Sequence, residues 1–347
     1  MNIALVKLSS IGDVVHALPV AAALHGALPQ ARLSWIVERR EAAVLRDHPA
    51  LSEIIPVDTR GWRRARTPLA LAGTSGALVA LRRHLRASRF DVAIDLQGLI
   101  KSGAITAATG ASLRIGFTRV HCREGLNVMF TNQRIAPPAS ACHIVDRYLA
   151  LVEPLGARAG SVEFALPTDG AAEARIDEFL MSAGLKPCDR LVVLNPGAGR
   201  VDKRWPTERF RALARRLSGE AGASVLVTWG PNELADARAI VGTDTRGYAA
   251  LAPPTNLDEL LAVLRRASVV VAADTGPLHL AAALGTRCVG LYGPTAAERN
   301  GPYGQGHRSL QSPDATMSSL GVDEVFRATA GLLDGPIAEP PAPEPAR

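Results

Sequence analysis

Three groups of side chains with chemical potential stand at points where an apolar run gives way to a helix-length segment. The first is Lys7-Leu8-Ser9-Ser10-Ile11-Gly12-Asp13, followed at once by the helical pattern Val14–Leu28. Small residues and a glycine at the carboxyl end of a first strand make a tight turn with exposed backbone amides, and Asp13 sits where the helix starts. Two readings stay open for it. Aspartate is a preferred N-cap, a role that contributes about 1 kcal/mol. A carboxylate at the mouth of a cleft also suits general-base work. The turn is not a dinucleotide fingerprint, because no GxGxxG is present.

The second group begins at Asn195-Pro196-Gly197-Ala198-Gly199 and runs through Arg200, Asp202, Lys203, Trp205 and Pro206. A glycine-rich strand-to-helix loop with a nearby lysine suits a phosphate held by amides and one mobile cation. Its spacing does not match a Walker A loop. The third group is the sharpest. The apolar run Val269–Ala273 leads into Asp274-Thr275-Gly276-Pro277-Leu278-His279. Pro277 suits the first turn of a helix, which puts Thr275 and Gly276 at the helix N-terminus, where free amides and the helix dipole favour an anion such as a diphosphate. Asp274 suits sugar hydroxyls, and His279 faces either a ligand or the core. Two basic features complete the set: Arg60, Arg63, Arg64 and Arg66 around Trp62, and the segment Asp95–Ser102 with Lys101. Each suits an anion or is simply a solvated face. No DxD, the commonest metal-binding signature of sugar-nucleotide enzymes, occurs in the chain.

Positioning these groups requires alternating strands and helices. In the first half, strands are expected near Ile3–Leu8, Leu33–Val37, Glu53–Pro56, Asp91–Asp95 and Leu113–Gly116, with helices at Val14–Leu28, Leu78–Ala87 and His143–Leu155. In the second half, strands are expected near Leu191–Asn195, Ser224–Thr228, Val269–Ala273 and Arg287–Leu291. Its helices fall at Thr207–Leu217, Leu234–Val241, Leu257–Ala267 and Pro277–Leu284. This rhythm predicts an α/β protein of two doubly wound parallel-sheet domains. The expected domains are 1–160 and 161–334, joined near Gly156–Thr168, with a disordered proline-rich tail at 335–347. Ligands belong at the carboxyl ends of such strands, and two facing sheets would place a cleft between them.

Composition narrows the functional classes. The 347 residues are 47% hydrophobic and 21% charged, enough for a sizeable core, but only 4% aromatic. The net charge of +6 is uneven: residues 1–160 hold 20 Lys/Arg against 11 Asp/Glu, and residues 161–347 hold 19 against 22. A basic half suits an anionic partner, whether nucleic acid, lipid headgroup or phosphorylated glycan. Nucleic acid is disfavoured because the basic half lacks aromatic stacking platforms and recognition motifs. The four cysteines form no CxxC pair and fit free thiols in a reducing cytoplasm. The N-terminus reads as a strand rather than a signal peptide. No run reaches the roughly 18 apolar residues of a membrane helix, so any membrane contact is expected to be peripheral.

With these loops in place, the chain resembles the ADP-heptose-dependent lipopolysaccharide heptosyltransferases of glycosyltransferase family 9. The resemblance runs from about residue 1 to 333 and rests on KLSSIGDVVHALP, DLQGLIKSG, VDKRWP, WGPNE and DTGPLHLAAALGT, in that order. It implies the GT-B fold, two Rossmann-like domains facing across a cleft, and an inverting transfer without metal or other cofactor. Carried over by motif, Asp13 is the catalytic base and Lys203 assists catalysis while contacting the donor's phosphate or heptose. Gly199, Glu233, Asp274, Thr275, Gly276 and His279 complete the donor set, with Glu233 on the ribose or adenosine portion.

The first-heptose branch shares the basic loop Arg60–Arg64, Lys101, a basic stretch ending in Arg123, and His143. With Ser10 and Gly12 these form the implied acceptor set for Kdo-lipid A. The implied protein is a monomer, cytoplasmic and peripheral on the anionic inner membrane. One motif departs: NPGAG at Asn195–Gly199 looks more like the second-heptose branch. A second-heptose or sister core transferase is therefore one alternative, and a non-catalytic nucleotide-sugar-binding module is another.

Overall fold

The computed structural model describes residues 1–64, 67–158, 162–185, 190–242 and 247–335. The chain divides into two compact units, Met1–Pro167 and Thr168–Arg347. The 160/161 junction, Arg66, Cys188 and the tail from residue 336 lie outside the described residues, as do the side chains of Arg63 and Arg64.

The first unit holds six parallel strands: β1 (Asn2–Val6), β2 (Arg32–Glu38), β3 (Glu53–Val57), β4 (Val92–Asp95), β5 (Leu113–Phe117) and β6 (Gln133–Ile135), in the order β3-β2-β1-β4-β5-β6. The second holds β7 (Leu191–Asn195), β8 (Ser224–Val227), β9 (Ala250–Leu251), β10 (Val269–Ala273), β11 (Arg287–Tyr292) and β12 (Arg308–Gln311), ordered β12-β11-β10-β7-β8-β9. Counted from its own first strand, the second sheet has the same order as the first. In both, the strand order reverses between the first and fourth strands, the point where open parallel sheets leave a crevice at their carboxyl ends. The central strands β1, β7 and β10 are buried nearly end to end, which is why they read as continuous apolar runs.

Each unit has its own core. Ala4, Val6, Ile36, Ile55, Leu85 and Ala93 cluster in the first. Val192, Leu194, Phe210, Leu213, Val225, Val271 and Val289 do so in the second.

The strands differ from expectation only at the sheet edges, where β6, β9 and β12 are short and β6 and β12 are largely polar. The first expected helix divides into Ile11–Val15 and Leu18–Ala27. Pro19 has no amide for the Val15 carbonyl, and its ring clashes there, so a continuous helix cannot form. The helix also starts earlier than Val14, which moves Asp13 inside its first turn. The expected helix His143–Leu155 likewise becomes Ile144–Ala150 and a 3₁₀ turn, Glu153–Leu155.

Candidate active site

Asp13 lies on the loop after β1, at the third position of the short helix that Ser10 caps. It is therefore the acidic partner of a capping box rather than the N-cap itself. Its Oδ2 accepts hydrogen bonds from the Ser10 backbone N–H (3.0 Å) and hydroxyl (3.1 Å). Its Oδ1 faces two cations, Arg123 Nη2 at 3.0 Å and Lys7 Nζ at 3.4 Å. About 17% of the carboxylate side chain remains exposed. Burial pushes the Asp13 pKa up, but Lys7, Arg123, the Ser10 N–H and His16 together hold it well below the usual carboxylate range. Gly12 is buried in the same turn.

Lys7 is a site residue that sequence reasoning passed over as the end of a strand. It is fully buried, donates to the Tyr148 hydroxyl at 2.6 Å and to the Leu96 carbonyl at 3.4 Å, and sits 4.6 Å from the Tyr148 ring centre. The loop after β4 secures the same region. Gln97 accepts from the Leu8 N–H (2.7 Å) and donates to the Ser9 carbonyl (2.9 Å). Asp95 is wholly buried and accepts from the Gln97 and Gly98 amides, the Ser102 hydroxyl and the Asn127 side chain. Gly98 has φ +69°, and a Cβ there would meet the Cys122 backbone at 3.2 Å. Glycine at this position therefore lets the segment carrying Arg123 pass close over the loop.

The rest of the implied acceptor set is distributed through the first unit. Lys101 lies 3.6 Å from Glu38 and donates to the Thr59 hydroxyl at 3.3 Å. Thr59 opens the helix Thr59–Arg64 that carries Arg60. His143 caps the helix Ile144–Ala150, its Nδ1 accepting from the Val145 N–H at 3.1 Å, and its ring meets the edge of His16.

In the second unit, three residues of the implied donor set converge at the end of β10. Asp274 pairs through Oδ2 with Lys203 Nζ at 2.7 Å and through Oδ1 with His279 Nε2 at 3.0 Å. A carboxylate only accepts, so His279 Nε2 carries the proton in this contact. Burial raises the Asp274 pKa, but the His279 hydrogen bond and charge and the Lys203 ammonium outweigh it and hold the group well below its ordinary range. Thr275 is the N-cap of Gly276–Ala283 but turns its hydroxyl back to the Ala273 carbonyl (3.1 Å), leaving the helix amides uncapped by its own side chain. An anion there meets free N–H groups and the positive end of the helix dipole. Trp205 fixes the lysine's loop: it is buried against Phe210, with its indole N–H on the Leu320 carbonyl at 3.0 Å.

Glu233 lies over the glycine-rich loop after β7. Its Oε2 accepts from the Gly230 N–H at 2.8 Å, and a Cβ on Gly197 would collide with its carboxylate. Arg204, absent from the sequence-based set, donates to the Ala198 carbonyl (3.2 Å) and lies 4.0 Å from Glu233. Gly199 is exposed at the tip. Among the described residues no group of three or more His, Cys, Asp or Glu side chains could hold a metal ion.

Known proteins share this architecture. The model of glycosyltransferase family 9 (heptosyltransferase) matches residues 78–325. Lipopolysaccharide heptosyltransferase 1 of Salmonella typhimurium is 33% identical over 94% of this chain and 99% of its own length. That of Pseudomonas aeruginosa is 34% identical over 90% and 84%. The structure of the E. coli heptosyltransferase WaaC with ADP-2-deoxy-2-fluoro heptose superposes with a TM-score of 0.76 at 29% identity, covering 94% of this chain and 98% of that one. The two Rossmann-like sheets are thus those of a GT-B type glycosyltransferase. Within that class, the chain belongs to glycosyltransferase family 9, the heptosyltransferases.

Proposed function

We propose that this enzyme transfers L-glycero-D-manno-heptose from ADP-heptose to the Kdo of Kdo-lipid A, with inversion at the anomeric carbon. In this reading it works at the cytoplasmic face of the inner membrane, in contact with an anionic lipid surface. The first unit takes the acceptor and the second the donor. The first-heptose assignment is favoured over the second by the two relatives at 33% and 34% identity, both named heptosyltransferase 1, despite the NPGAG loop.

The reaction is a single displacement. Asp13 accepts the proton of an acceptor hydroxyl as that oxygen bonds to the anomeric carbon. The bond from that carbon to the diphosphate breaks on the opposite face, and ADP leaves. In the resting arrangement Oδ1 is shared by two cations, so the carboxylate is ionised but weakly basic. Arg123 is the partner open to solvent, with 44% of its side chain exposed. An acceptor carboxylate that engages Arg123 draws one cation from Oδ1 and restores basicity where the hydroxyl arrives. Lys203 and the amides at Thr275 and Gly276 meet the charge that develops on the diphosphate, a preorganised form of stabilisation. Asp274, held by Lys203 and His279, accepts from heptose hydroxyls. Ser10 and Gly12 shape the acceptor side of the turn, and Arg60, Arg63, Arg64, Lys101 and His143 supply its positive field. Glu233 and Gly199 border the ribose.

The observation that carries this reading is the Lys203–Asp274–His279 group at an uncapped helix N-terminus, a site for an anion and a polyol together. The deciding experiment is mass spectrometry of products after incubation with ADP-heptose and Kdo-lipid A. A product heavier by one heptose, formed with release of ADP, is expected. Transfer to an acceptor already carrying the first heptose, and not to Kdo-lipid A, would overturn the assignment.

A further inference from the structure

Four large apolar side chains that the described residues leave exposed belong to one neighbourhood of the first unit: Ile100, Val120, Leu126 and Met129. Val120 is 85% exposed and Met129 74%. Chain geometry joins them at the carboxyl edge of the sheet. The Ile100 N–H donates to Glu124 Oε2 at 2.6 Å. Arg119 lies along Gly125, where a Cβ would meet its Cγ at 3.2 Å, so the turn bearing Val120 abuts the start of the 3₁₀ helix Gly125–Met129. In a 3₁₀ helix residues three apart eclipse, so Leu126 and Met129 project together.

The segment is firmly held while these side chains stay out. Asn127, between them, is fully buried and donates to Asp95 Oδ2 (2.6 Å) and the Leu99 carbonyl (2.8 Å). Phe130 packs so close to Gly103 that a Cβ there would meet its ring at 2.5 Å. Exposure of the apolar tips is thus built into an ordered loop and is not the fraying of a loose one. Around them stand the exposed Arg119 and Arg134 and the half-exposed Arg123, which pairs with Asp13, beside the acid Glu124, which accepts from the Ile100 amide.

Apolar tips ringed by arginines suit an interface between water and anionic lipid, where side chains enter the headgroup region and cations are drawn to its charge. We propose that residues 118–130, with Ile100, form the surface by which this protein docks on an anionic bilayer. The proposal deepens the reading of a lipid-linked acceptor and rests on it for its purpose. The patch flanks the Arg123–Asp13 pair, so docking there brings Asp13 to the headgroup layer. No helix among the described residues is long and apolar enough to cross a membrane.

The test is sedimentation of the purified protein with vesicles of phosphatidylethanolamine, with and without phosphatidylglycerol, and with no acceptor present. The variant is Val120→Ser/Leu126→Ser/Met129→Ser, and the control is Leu78→Ser/Val79→Ser, at the competing exposed pair on the helix Pro68–Ala87 beside Arg82, Arg83 and Arg86. Wild type and control should bind the anionic vesicles, and the triple variant should bind about tenfold more weakly or worse, with an unchanged melting temperature. Transfer to a water-soluble acceptor without acyl chains should match wild type in the triple variant. The proposal is overturned if wild type ignores anionic vesicles, if the triple variant binds as well as wild type, or if only the control loses binding. It is also overturned if the triple variant loses soluble-acceptor transfer in parallel, which would make the loop a headgroup-recognition element. Vesicle binding without transfer by wild type to either acceptor would reject the catalytic reading and leave the docking surface standing.

Discussion

Replacing Lys7 by Met tests whether the buried ammonium is what holds Asp13 ready. Met fills a similar volume without charge, so the perturbation is mainly electrostatic. At 3.4 Å and an effective dielectric of 20, two unit charges attract by about 5 kcal/mol. Arg123 is slightly nearer, but its exposure to solvent weakens its share. Losing Lys7 therefore removes the better-insulated half of the field on Asp13. The cations hold the Asp13 pKa down, so removing one must raise it. The acid limb of the pH profile of kcat/KM should accordingly move to higher pH. At its plateau the rate should fall about ten- to a hundredfold, the scale of a misplaced catalytic group.

The cost in stability should stay below the roughly 3–5 kcal/mol of a fully buried broken pair, because Asp13 keeps Arg123 and touches solvent. The linkage sign provides a second check. A carboxylate whose folded pKa is depressed adds stability above its unfolded pKa and loses it as pH falls through the folded value. The gap in Tm between wild type and Lys7→Met should therefore narrow once the pH drops below about 4. The assays are steady-state transfer and thermal unfolding, both carried from neutral pH down to about pH 2, through the range in which Asp13 loses its charge. An unmoved acid limb with full turnover would reduce Lys7 to a core residue, and a limb moving to lower pH would contradict the electrostatics.

Asp13→Ala should fold and lose transfer by at least about a hundredfold, whereas near-normal turnover would leave the carboxylate a capping-box residue only. Transfer should survive EDTA, since Lys203 and the helix amides at Thr275 and Gly276 supply the positive charge; complete loss restored by Mg²⁺ would reject that assignment. Gly197→Ala should raise the KM for ADP-heptose several-fold more than that for the acceptor, because a Cβ there displaces the Glu233 carboxylate; equal effects would detach Glu233 from the donor. Arg63→Ala/Arg64→Ala, in the basic helix Thr59–Arg64, should raise the acceptor KM and leave donor binding nearly unchanged, and the wild-type acceptor KM should itself rise with salt. An unchanged acceptor KM in the double variant would make that cluster a solvated surface.

The central strands were legible because burial on both faces leaves a run such as Val269–Ala273 no polar positions. β6 and β12 were missed because an edge strand needs one neighbour and little apolar character, and β9 because its two residues are too few to show a pattern. Asp274 and Lys203 were legible through loop position, although 71 residues separate the partners and only the fold shows that they touch. What stayed hidden were the polar contacts of the first unit's interior. Lys7 resembles any charged residue at a strand end until Tyr148, 141 positions later, is seen to close over it. Asp95, Gln97 and Asn127 were unreadable for the same reason: their partners are amides and side chains of other loops, and no periodicity records them. Asp13 was placed correctly at a helix start but one role off, because Ser10 is the N-cap and the helix begins at Ile11, which puts Asp13 at its third position.

The repeated strand order has a consequence for how such an enzyme can diversify. The loop bearing Asp13 and the loop Asn195–Gly199 occupy equivalent places, each following the first strand of its sheet, and the turns after β4 and β10 are equivalent in the same way. One ligand-holding scaffold is used twice, and its apolar strands are indifferent to the loops they carry. On the proposed division of labour, the acceptor loops of the first unit around Ser10–Asp13, Arg60–Arg64 and Lys101 can drift toward a new acceptor without disturbing the donor loops at 195–206 and 274–279, which belong to a separately packed core. Variation in acceptor and constancy of donor then become inherited properties of two independent halves, and a single lineage can explore one while preserving the other.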